Sequence, residues 1–115
     1  MSPRSWRIRL NDILHAARKT IAHTQDMDFK QFCCDEWQVD AALHNFALIG
    51  EASRHIPDVI KTQYPDVAWE EMRDMRNVVI HEYFGVDLNV VWHTIQNDFP
   101  DLILQLERIL KDIDL

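Results

Sequence analysis

Apolar side chains recur along this chain every three or four positions, the spacing of a helix, and nowhere in the strict alternation of a strand. Pro3 suits a first helical turn, where its missing N–H has no partner to find. From there Trp6, Leu10, Ile13, Leu14, Ala17 and Ile21 fall on one face at about 100° per residue, which predicts a first helix with that face in the core. A loop near "HTQDMD" separates it from a second pattern, "EWQVDAALHNFALIGEASRHI", with Val39, Leu43, Phe46, Ile49 or Gly50, and Ile56 in period and Pro57 as its stop. Gly50 inside that pattern costs about 1 kcal/mol against alanine, so its presence predicts the close approach of a neighbouring helix.

A short helical piece is expected before Pro65. Asp66 is expected to cap a third major helix, "VAWEEMRDMRNVVIHEYF", in which Trp69, Met72, Arg76, Val79, Ile80 and Tyr83 share a face and which Gly85 ends. Asp87 is expected to cap the last run, "LNVVWHTIQNDFPDLILQLERILKDI". Its apolar positions 88, 91, 92, 95, 99, 102, 106, 109, 110 and 113 keep helical period, and Pro100 predicts a kink or break around Gln96 to Asp98. The chain thus reads as an all-α bundle of four or five helices.

Composition agrees with that reading and narrows it. At 115 residues with 47% hydrophobic side chains, one domain spanning 1–115 can bury a core without metals or disulfides. Adjacent Cys33 and Cys34 cannot easily pair with each other and lack the spacing of a zinc site, so they read as reduced thiols. With no apolar run long enough for a bilayer and no apolar block near the N-terminus, a cytoplasmic protein is expected, without membrane contact.

A net charge of −7 argues against a general nucleic-acid binder, but the charge is unevenly spread. Residues 1 to 19 carry five basic side chains and one acidic, +4, leaving seven basic and 18 acidic, −11, for the rest. Arg4, Arg7, Asn11, His15 and Arg18 form a stripe on the first helix, either a solvated face or a contact for phosphates.

The segment "RNVVIHEYFGVD" strings Arg76, His81 and Tyr83 through apolar neighbours. Five residues turn a helix through about 500°, so Arg76 and His81 point about 140° apart, and convergence needs either the helix end or a second subunit related by two-fold symmetry. Arg76 and Tyr83 share a face, and Asn77 sits one turn before His81. A plain structural role also accounts for such residues: a histidine near a helix C-terminus interacts with its dipole, and a tyrosine packs its ring with the hydroxyl in water. The remaining five histidines show no ligand spacing and no glycine loop cradles a phosphate, so neither a metal nor an organic cofactor is expected.

"MRNVVIHEYFGVD" resembles the R-x-x-x-x-H-x-Y motif of the HepT family of HEPN-domain toxins. "NFALIGEASRHIP" and "YPDVAWEEMRDMRN" upstream and "VVWHTIQNDFPDL" downstream are similar to that family in the same order, over about Asp40 to Leu110. The resemblance implies a dimeric HEPN bundle and a metal-independent endoribonuclease. It also implies the toxin of a type VII toxin–antitoxin pair, made beside a nucleotidyltransferase antitoxin of the MntA type. Position by position, it places the family's arginine on Arg76, its following polar residue on Asn77, its histidine on His81 and its adenylylated tyrosine on Tyr83. Arg4, Arg7 and Arg18 are then candidate RNA contacts. Two rival readings are a non-catalytic HEPN module that docks a nucleotide or a transferase, and a purely structural dimer.

Overall fold

The computed structural model describes residues 3–82 and 85–113, with side chains from Ser5 to Asn77 and from Gly85 to Ile113. Four long helical segments form the bundle. They are α1 (Pro3–Thr24), α3 (Glu36–Ser53), α5 (Trp69–Glu82) and a continuous run of α6 (Leu88–His93), a wide π-helical turn (Thr94–Asp98) and α7 (Phe99–Ile113). Two six-residue helices, α2 (Phe29–Cys34) and α4 (Asp58–Gln63), lie in the connections, and no strand occurs among the described residues.

Helix α1 starts at Pro3 as expected, and its stripe Trp6, Leu10, Ile13, Leu14 and Ala17 is buried against α3 and α7. Helix α3 is central, with α1 on one side and α5 on another. It ends at Ser53, four residues before Pro57, where the Ser53 hydroxyl donates to the Gly50 carbonyl at 2.8 Å. The chain then turns so that Ile56 still reaches the core.

Two elements depart from the expectation. Helix α2 falls within what reads as a connection, and it is set by a capping box: Asp28 Oδ1 accepts the Gln31 N–H and Gln31 Oε1 accepts the Asp28 N–H, both at 2.8 Å. Its anchor is Phe32, fully buried with its ring centroid 5.1 Å from that of Trp92, a burial that contributes about 1.5–3 kcal/mol. Asp66 does not cap α5, which begins three residues later. Instead Arg108 Nη2 donates to both Asp66 carboxylate oxygens at 3.0 and 3.2 Å, so the aspartate joins this loop to α7. Tyr64 adds to the same join, its hydroxyl donating to Asp112 Oδ2 at 3.0 Å.

Asp87 caps α6 as expected, accepting the Asn89 N–H at 2.9 Å. The α5 helix is described to Glu82, and Gly85 does not take the left-handed backbone of a glycine cap, since no glycine has positive φ. Ahead of Pro100 the run widens at Thr94–Asp98 without breaking, and Phe99 N–H reaches back to the Thr94 carbonyl. No described helix is long and apolar enough to cross a membrane.

Candidate functional site

Arg76 sits mid-way along α5, opposite the one position of α3 that has no side chain. A Cβ built on Gly50 would lie 2.6 Å from both the backbone N and the Cβ of Arg76, and 3.1 Å from its Cα. Any other residue there would drive the helices apart, so the glycine allows the approach that fixes the root of the arginine.

The tip is fixed by the next residue of α3. Glu51 Oε2 accepts from Arg76 Nε at 2.9 Å. The same carboxylate lies 3.3 Å from Arg54 Nη1 and, through Oε1, 3.4 Å from His55 Nε2. Both partners follow from helix geometry, because residues three and four apart share a face. One carboxylate therefore gathers three basic side chains. Desolvation pushes the Glu51 carboxyl up, but the His55 hydrogen bond and the Arg54 and Arg76 charges outweigh it and hold the group below its ordinary value of 4.5.

About a third of the Arg76 side chain remains exposed, so an anion in solution can reach it. Its contact with Glu51 uses the Nε edge of the guanidinium, whereas a two-point grip on phosphate can use the Nη1/Nη2 edge. Asn77, the next residue, is exposed. His81 belongs to α5 by its backbone, about 7.5 Å further along the axis at 1.5 Å per residue, and its side chain lies outside the described residues. Tyr83 lies outside them altogether, as does the side chain of Arg4.

Arg18 is not brought to Arg76 within one chain. Arg18 turns toward α7, where its Nη2 meets Glu107 Oε2 at 3.3 Å, while α5 packs on α3. Arg7 is half-buried on α1. Glu51, Arg54 and His55 are the residues of this site that sequence reasoning missed. The signal available was the i, i+3, i+4 spacing in "EASRH"; the link to Arg76 crosses between helices, and no periodicity reports it. Among the described residues, no three His, Cys, Asp or Glu side chains group as metal ligands.

A family model described as "Ribonuclease HepT-like" matches residues 13–109. A protein of Thermococcus cleftensis named "Probable ribonuclease HepT" is 38% identical over 108 residues, covering 94% of this chain and 98% of the relative. Two chains of Methanocaldococcus jannaschii, each provisionally assigned as an RNase by its name, are similar as well. One is 36% identical over 95% of this chain and all of its own length, and the other 34% identical over 99% of this chain and 94% of its own. No solved structure gives a significant match.

Proposed function

The chain belongs to the ribonuclease HepT-like family, and on that footing we propose that it is a metal-independent endoribonuclease whose site is built on Arg76 and His81. The observation that carries the reading is the seating of Arg76: rooted against Gly50, oriented by Glu51 and still partly open to an anion. An arginine held at both ends loses little freedom when it meets a phosphate, so its charge is ready for the transition state.

RNA carries its own nucleophile. A base takes the proton of the 2′-hydroxyl, the 2′-oxygen attacks phosphorus, and the bond from phosphorus to the 5′-oxygen breaks as an acid protonates that oxygen. The products are a 2′,3′-cyclic phosphate and a 5′-hydroxyl. Histidine, with an unperturbed pKa near ~6.5, serves either proton transfer at neutral pH, and His81 is the imidazole of the motif. Arg76 stabilises the negative charge on the phosphorane. In a homodimer with two-fold symmetry, the imidazole of a second protomer supplies the other transfer, which resolves the 140° divergence of Arg76 and His81 on one helix. Asn77 supports His81 from one turn before, and the α1 arginines Arg4, Arg7 and Arg18 are candidates for holding RNA further along the strand.

On the same reading the protein is a cytoplasmic toxin silenced by an MntA-type nucleotidyltransferase that adenylylates Tyr83. The test is incubation of purified protein with RNA in EDTA. Cleavage is expected there and is expected to vanish in both Arg76→Ala and His81→Ala; intact RNA after incubation with native protein sinks the nuclease reading and favours a docking module.

A further inference from the structure

Trp37 stands 87% exposed near the start of α3, more than any other large apolar side chain among the described residues. It borders a cavity of about 350 Å³ between α1 and α3, at the small end of ligand pockets and suited to one base with its sugar. The polar groups around the opening are Lys19, His23 and Gln38, and no carboxylate lines it. In a chain of net charge −7 this is unusual: three other surface cavities each carry three or four carboxylates, and one of them, with Asp26, Asp35 and Glu36, is also bordered by Trp37.

The floor hydroxyls are already committed to the fold. Thr20 donates to the Ala16 carbonyl at 2.8 Å and accepts from Asn45 Nδ2 at 3.0 Å, while Thr24 donates to the Thr20 carbonyl at 2.8 Å. What meets a ligand is therefore an aromatic face, an ammonium, an imidazole and an amide. That set matches an unpaired nucleobase, which stacks on the indole and offers its edge to the amide, with the adjoining phosphate toward Lys19.

The cavity is also in line with the candidate site. Trp37 and Glu51 are fourteen residues apart on α3, about 21 Å along the axis and within about 40° of the same face. Exposed His44 lies midway between them on that face. A single strand leaving Arg76 along this stripe passes His44 and arrives at Trp37 after several nucleotides.

We infer that the cavity beside Trp37, with Lys19, His23 and Gln38, is a distal subsite that captures one unpaired base of single-stranded RNA whose cleaved phosphate lies at Arg76. The inference rests on the ribonuclease reading for its substrate, and the test keeps the two separable. Binding is measured by fluorescence anisotropy with a 2′-O-methyl oligonucleotide, which spans both sites and has no free 2′-hydroxyl to attack. Trp37→Ala should weaken it about 5- to 150-fold, the measured range for loss of one stacked base, and Trp37→Phe should keep most of the affinity. Lys19→Ala should lower the slope of log affinity against log salt by about one. Cleavage of a dinucleotide too short to reach the cavity should be unchanged in Trp37→Ala, with KM raised only for the long substrate.

Equal oligonucleotide binding by Trp37→Ala and native protein overturns the subsite, whatever becomes of the nuclease. So does a native protein that binds no oligonucleotide, or a Trp37→Ala variant whose sedimentation shifts from dimer to monomer, which makes the indole a subunit contact. Native protein that binds through Trp37 but cuts no RNA leaves the subsite standing and removes the ribonuclease reading instead.

Discussion

Gly50 and Arg76 meet backbone to backbone, so the residue of α3 that lacks a side chain seats the arginine of the candidate site. Replacing Gly50 by alanine sets two effects against each other. Helix propensity favours alanine by about 1 kcal/mol, while overpacking a close contact costs about 1–3 kcal/mol. The atoms met at 2.6 Å include a backbone nitrogen, which cannot swing aside as a side chain would, so the clash should win. Gly50→Ala is expected to lower Tm by several degrees and to reduce cleavage even where the protein is fully folded, because Arg76 moves with α5. Thermal unfolding and a cleavage assay well below Tm check it; an unchanged Tm would mean the helices separate without strain.

Glu51 predicts a specific pH dependence. Its folded-state pKa lies below the ordinary 4.5, so its contribution to stability is complete above about 4.5 and is lost as pH falls through the folded value. The effect should be small, because the partners are a third to a half exposed and water screens them. Denaturant unfolding at steps of pH should show native protein weakening on the acid side more steeply than Glu51→Gln. Parallel curves would remove Glu51 from this role.

His81→Ala should abolish RNA cleavage while circular dichroism and sedimentation stay at native values, since losing one imidazole near the end of α5 removes chemistry rather than the core. Cleavage at the native rate would take His81 out of the site.

Tyr83 gives a prediction by mass. Its phenol, with pKa near ~10, is a poor acid or base at neutral pH, but its oxygen is a usable acceptor for nucleotidyl transfer. AMP attached there adds a phosphate and a base seven positions after Arg76, where helical spacing predicts the arginine's own face. Co-expression with a cognate nucleotidyltransferase should add AMP to native protein and not to Tyr83→Phe, which should still cut RNA. Addition that persists in the phenylalanine variant would place the modification elsewhere.

The main lines of the fold were legible because its signals are local. Pro3, the capping aspartate Asp87, the helical period of α1 and α3 and the interruption ahead of Pro100 each act within a few residues of where they stand. Gly50 is the one long-range inference that held, since a glycine inside a helix asks for a reason and close packing is the common one. Helix α2 escaped because six residues are too few to show a period, although Asp28 and Gln31 spelled its capping box. Asp66 looked like a cap and became a partner for Arg108, 42 positions away, a competition that sequence spacing cannot decide. For the same reason Arg76 was visible as a candidate while its neighbour Glu51 was not.

The wide turn at Thr94–Asp98 lets the last helical run carry one residue more than ordinary helix would. Val91, Ile95 and Phe99 follow one another at intervals of four, and eight residues of ordinary helix overshoot two full turns by about 80°. The wider turn absorbs that overshoot and hands α7 to the bundle with Leu102, Leu106 and Ile109 facing inward. Removing one residue between 94 and 98 would let the turn tighten to ordinary helix, in which the seven residues then separating Val91 from Phe99 turn about 700°, about 20° short of two turns, so that stripe stays inward. Point substitutions at exposed Gln96, Asn97 or Asp98 leave that register untouched as well, so this segment works as slack in the run, holding one residue more than ordinary helix needs.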